Sequence, residues 1–113
     1  MISFDMLSSA EQQVYKWLTL HKIPFDTQVK MFAGYTEIGG SVVDFIIPDK
    51  MLALRIMGVY WHSSIEAQSR DRLSRERLTE AGYHVVDIWE DQLTDDKIDY
   101  TMNNALQGVE IPR

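Results

Sequence analysis

Four residues of this chain can move a proton or hold a cation, and each stands where the surrounding pattern calls for a plainer side chain: Glu11, Asp44, His62 and Asp71. Asp44 is the single charge in Ser41-Val-Val-Asp-Phe-Ile-Ile47, an apolar, β-branched run. An ionised carboxylate there is costly unless a cation or several donors compensate it. A metal ion would serve, and so would backbone amides or Arg55. Glu11 stands three residues before Val14 and seven before Leu18, on the apolar side of a helix. It also completes the pattern Ser8-Ser-Ala-Glu11, which gives it a structural task at the helix start. Asp71 shares the line Ala67, Asp71, Ser74, Leu78 and Ala81, one face of a second helix, where it either reaches inward or pairs with Arg75 one turn on. His62 closes Gly58-Val-Tyr-Trp-His62 at a strand-to-helix corner. An imidazole there takes a proton from water near neutral pH, binds a metal, or packs beside Trp61.

Basic residues form the second group. Arg70, Arg72, Arg75 and Arg77 lie within eight residues and make either a phosphate-facing helix or a solvated face paired with Asp71 and Glu76. Arg55, expected near Asp44, either steadies a phosphate or takes the place of a metal. Gln28, on the preceding strand, reads from the residues alone as packing at the sheet edge.

The elements that must position these residues follow from periodicity. The capping box at Ser8 and the spacing of Val14, Trp17, Leu18 and His21 predict a helix over about 9–22, ended by Pro24. Phe25 to Phe32 alternates as a strand, with Phe25, Thr27, Val29 and Met31 on one side and Asp26, Gln28, Lys30 and Phe32 on the other. Gly34 and Gly39-Gly40 mark the loop to a buried strand over 41–47. A turn at Pro48-Asp-Lys50 returns the chain through a second buried strand over 51–58. A second capping box, Ser63-Ser-Ile-Glu66, opens a helix to about Ala81 that stops at Gly82. Tyr83 to Trp89 is a strand, and Thr94 to Leu106 a closing helix. The order α-β-β-β-α-β-α predicts an α/β (α+β) fold, a mixed central sheet flanked by helices.

At 113 residues the chain suits one domain, 1–113, with one core. Without cysteine, any metal must be held by oxygen or imidazole, and a reducing cytoplasm is the natural compartment. No segment approaches the ~20 apolar residues of a membrane span, and no leader pattern opens the chain, which reads as soluble. The net charge of −6 argues against generic binding to a polyanion. A locally basic helix on an acidic body still permits it.

Val43-Asp-Phe-Ile-Ile, Leu54 to Met57, Gly58-Val-Tyr-Trp-His62, Arg70-Asp71, Leu78, Ala81-Gly-Tyr83 and Val86-Asp-Ile-Trp-Glu90 together resemble the very-short-patch repair endonucleases and related phage homing-nuclease domains. Their signature is Glu, Asp, a variable residue, His, Asp, and the resemblance covers about residues 8–93. It implies a restriction-endonuclease-like core in which Asp44 ligates magnesium, or manganese, and Ile56 at the variable position offers its backbone carbonyl. It further implies His62 as general base, Glu11 and Asp71 as outer acidic and orienting partners, and DNA as substrate. Gln28, Arg55, Arg70, Arg72 and Arg75 are then the candidate phosphate contacts. The sequence departs from the pattern in two places. Arg55 and Met57 exclude the superfamily's acidic residue and lysine on the second strand, and Met57 stands where the repair enzymes have a further histidine before the glycine. The structural zinc of that family has no cysteines here to hold it. The expectation is a nicking or homing-type nuclease, cytoplasmic (in the host if phage-encoded), with specificity from the loop 33–40 or from a fused or associated domain, and with a homodimer as one route to a second cut. The competing expectation is an inactive nuclease-like fold serving as a structural or binding subunit.

Overall fold

The computed structural model describes residues 4–31, 41–58 and 65–112; within these it describes the backbone alone at 6, 28–31, 41–44, 65–71 and 74. Helix α1 (Ser9–Leu20) starts on the expected capping box: the Ser8 amide donates to Glu11 Oε1 at 2.7 Å and the Glu11 amide to Ser8 Oγ at 3.2 Å. It ends two residues earlier than the spacing predicts. Lys22 adopts a left-handed conformation (φ 58°), its amide donating to the Thr19 carbonyl and that of Ile23 to the Leu18 carbonyl. That pair of bonds closes the helix before Pro24 is reached.

Strands β1 (Asp26–Met31), β2 (Ser41–Ile47), β3 (Leu52–Met57) and β4 (His84–Trp89) form one sheet in the order β1-β2-β3-β4. The first two pairings are antiparallel and β3 pairs β4 in parallel, the connection being helix α2 (Ile65–Glu80). A 3-10 turn over Pro48–Lys50 makes the β2–β3 hairpin. Every residue of β3 is buried, because helices cover both of its faces. On one face Phe45, Ile47, Leu54, Ile56, Val86 and Ile88 meet Val14, Trp17 and Leu18 of α1 and Met102 and Ala105 of α3 (Ile98–Ala105). On the other, Ile46, Ala53 and Val85 meet Leu78 of α2. Each large side chain so buried contributes roughly 1.5–3 kcal/mol.

Helix α2 ends as its glycine predicts: Gly82 has φ 95°, and the amides of Gly82 and Tyr83 donate to the carbonyls of Thr79 and Leu78. The closing helix is corrected. It begins at Ile98, not at Thr94, because a 3-10 turn over Glu90–Gln92 leads into a turn in which the Thr94 carbonyl accepts from the amides of Lys97 and Ile98. Beyond α3 the chain returns along β4, an edge strand. There His84 Nε2 donates to the Gly108 carbonyl (2.8 Å), the Asp87 amide to Glu110 Oε1 (2.8 Å) and Gln92 Nε2 to the Ile111 carbonyl (2.9 Å), so the edge is partly covered. Among the described residues no helix is long and apolar enough to cross a membrane.

Candidate active site

Strand register assembles a polar row across the sheet. Gln28 of β1 pairs with Asp44 of β2, Asp44 with Arg55 of β3, and Arg55 with Asp87 of β4. Residues paired in register share a face, and alternation puts this row on the face of Ile46, Ala53 and Val85, the one covered by α2. The ladder between β2 and β3 runs from Ile47 and Leu52 to Asp44 and Arg55 and stops, although β2 continues beside β1 to Ser41 and β3 beside β4 to Met57. The sheet therefore forks at Asp44. Ile56 is the first β3 residue past the fork, and its side chain is buried in the opposite core.

Arg55 is the largest fully buried side chain of the protein's described part. Its Nε lies 3.3 Å from Asp87 Oδ1, an ion-pair contact without hydrogen-bond alignment, and its Nη2 is 3.4 Å from the Met57 sulfur. Asp87 also accepts from Arg75 Nη1 through Oδ2 at 2.8 Å, and the same nitrogen donates to Glu110 Oε1 at 2.9 Å. The result is a chain of alternating charge, Arg55, Asp87, Arg75 and Glu110, running from the sheet's interior to the segment along β4. Burial pushes the Asp87 carboxyl above the usual range, and the guanidinium groups of Arg55 and Arg75 offset that only in part. Burial also works against ionisation of Glu110, but the Asp87 amide and Arg75 outweigh it and hold this carboxyl below the usual range. Burial likewise disfavours the charged form of Arg75, yet its bonds to Glu110 and Asp87 raise its pKa further.

The expected site residues fall in different layers. Glu11 is buried, 7% exposed, on the helix packed against the face opposite the polar row, and its Oε1 accepts from the Ser8 amide. Asp44 and Gln28 occupy adjacent register positions; their side chains, and those of Arg70 and Asp71, lie outside the described residues, as does His62 altogether. Asp71 stands one turn before Arg75 on α2, whose later residue Leu78 covers the row below. Arg72 is exposed, whereas Arg75, expected at phosphate, turns its guanidinium to Asp87, Glu110 and the Val85 carbonyl. Among the described residues no three His, Cys, Asp or Glu side chains stand together as metal ligands. Sequence reasoning passed over Asp87. The signal was present: Asp87 interrupts His84-Val-Val-Asp-Ile-Trp89 as Asp44 interrupts its own strand.

The fold has a counterpart among solved structures. The chain is similar to the catalytic domain of a homing endonuclease. That domain, from I-Bth0305I, superposes with a TM-score of 0.58 and 27% identity, over 87% of this chain and 93% of its own. No sequence profile of a known family matches the chain, and no protein with a curated description does. The mixed four-stranded sheet between helices, together with this likeness, gives the chain a nuclease-like, restriction-endonuclease-like fold.

Proposed function

We propose that the chain is a metal-dependent DNA endonuclease of the nicking or homing type, related to the very-short-patch repair group and encoded by a phage or mobile element. The observation that carries this reading is the position of Asp44 at the sheet fork, in a fold similar to a homing-endonuclease catalytic domain. The donors that this reading assigns to the site fit magnesium or manganese. They are hard oxygens, the Asp44 carboxylate and the Ile56 carbonyl, and such ions need few protein oxygens. When bound, the ion offsets the negative charge that gathers on the phosphate oxygens during attack. His62 takes the proton from the attacking water as its oxygen bonds to phosphorus and the bond to the leaving oxygen breaks. Asp71 orients that histidine, Glu11 is the outer acidic partner, and Gln28, Arg70 and Arg72 face the phosphates. Arg55 and Arg75 act from within the ion-pair chain. Specificity comes from residues 33–40 or an associated DNA-reading domain, a homodimer supplies any second cut, and the reaction takes place in the cytoplasm.

A supercoiled-plasmid nicking assay with magnesium or manganese tests the reading. Wild type is expected to convert plasmid to open circles, and His62→Ala to do so about 10²–10⁴-fold more slowly. Equal rates end the base assignment. A second reading, an inactive scaffold, draws on the buried Arg55 directly opposite Asp44, since a resident cation there competes with a metal. Thermal melting separates the two. A manganese-dependent rise in Tm for wild type that Asp44→Ala abolishes supports the metal site; no rise in either protein favours the scaffold.

A further inference from the structure

We infer that Asp87 is a positioning residue that competes with Asp44 for the Arg55 guanidinium, and so sets how tightly the fork takes up a divalent cation. This rests on the proposed metal-dependent reading. Arg55 has a carboxylate residue as its register partner on each side, Asp44 on β2 and Asp87 on β4. Neighbouring strands lie only about 4.8 Å apart, so one guanidinium is within reach of both positions. On the Asp87 side it meets a braced carboxylate. Arg55 Nε meets Asp87 Oδ1 at 3.3 Å while Oδ2 is fixed at 2.8 Å by Arg75, which Glu110 anchors in turn at 2.9 Å. Glu110 is itself secured by the Asp87 amide at 2.8 Å, so moving the Asp87 carboxylate breaks its bond to a braced Arg75 as well as its ion-pair contact with Arg55.

The consequence is electrostatic. A buried guanidinium whose charge is not balanced repels a second cation strongly, because the surroundings screen it poorly. With Asp87 ionised, most of that field is cancelled on the β4 side. With Asp87 neutral, the Asp44 position is left to balance Arg55 alone, and a divalent ion must displace that interaction before it binds.

Two readouts on the full chain test this. The first is the side-chain Nε–Hε resonance of Arg55, identified by its absence in Arg55→Met: it is expected to shift in Asp87→Asn and to return towards its wild-type position in Asp87→Glu. The second is the Mn2+ dissociation constant, measured from free Mn2+ by electron paramagnetic resonance. Asp87→Asn should weaken binding about tenfold, the usual scale for a residue that acts on a metal site through another. The double variant Asp87→Asn/Arg55→Met should bind within about threefold of wild type, since the unbalanced charge is gone. A purely structural role for Asp87 predicts no such recovery. Wild-type binding with an unchanged constant in Asp87→Asn, or a double variant as weak as the single one, overturns this inference and leaves the nuclease reading standing. A wild type that takes up no Mn2+ overturns both.

Discussion

Glu11 occupies a helix cap and, on the reading above, the edge of a catalytic site, and one substitution separates the two roles. Glutamine completes a capping box as well as glutamate does. Glu11→Gln should therefore keep the wild-type Tm within about 2 °C while reducing nicking, whereas Glu11→Ala should lose both activity and roughly 1 kcal/mol of stability. Full nicking by Glu11→Gln would make the residue a cap and nothing more. Glu110 gives a pH dependence at the same scale. Its carboxyl titrates lower in the folded protein than in the unfolded chain, so its contribution is present above the ordinary glutamate range and is lost as pH falls through the folded value. The Tm difference between wild type and Glu110→Gln is then expected to be largest near neutrality and to shrink below about pH 4. Asp87 acts in the opposite sense: its raised pKa makes the folded state the better proton binder, and stability declines as pH rises from the unfolded to the folded value. Asp44 was legible because a charge in an apolar strand is conspicuous. Asp87 carried the same mark, but its meaning depends on which strand lies beside it, and periodicity says nothing about that.

The three described α-helices close with the same hydrogen-bond pattern, two on glycine and one on lysine, which makes element ends a place for a paired test. Gly82 follows α2 with φ 95°, and Lys22 follows α1 with φ 58°. A side chain in the left-handed region costs about 1 kcal/mol relative to glycine. Gly82→Ala is expected to lower the Tm by about 4–6 °C, and Lys22→Gly to raise stability by a few tenths to about 1 kcal/mol, both read from thermal denaturation. A neutral Gly82→Ala would mean that the turn relaxes. The contrast also explains which boundaries the sequence announced. Gly82 ends α2 where its chemistry says it should. Helix α1 ends earlier than its spacing predicts because a lysine gives no sign that it will turn left-handed, and α3 begins later than predicted because Thr94 opens a turn. In the fold the Thr94 hydroxyl instead donates to Asp96 at 2.6 Å, and its carbonyl begins a turn. Strand identities were legible throughout, since runs such as 41–47 and 52–57 admit no other packing between two helical layers.

At the scale of the molecule, element order and mixed-sheet architecture followed from the sequence, but the register that aligns Gln28, Asp44, Arg55 and Asp87 did not, because pairing is decided by contacts far apart in the chain. Charge is the other whole-molecule property. A body with a net −6 repels a duplex except where basic side chains face it, and α2 supplies few of these. Arg75 is held by two carboxylates, so among the described side chains of that helix Arg72 and Arg77 are the exposed cations left to meet phosphate. Each neutralised phosphate adds roughly 0.9 to the steepness with which log affinity falls against log salt. The chain alone is therefore expected to bind a DNA duplex weakly, with a slope of about −2 to −4 in a fluorescence-anisotropy salt titration. Glu110→Gln, which loosens one of the carboxylate holds on Arg75, should tighten binding modestly and steepen the slope by up to about one. A slope near −8 would demand a broad basic surface that this composition does not contain. A slope of zero would remove phosphate contact from the function of α2.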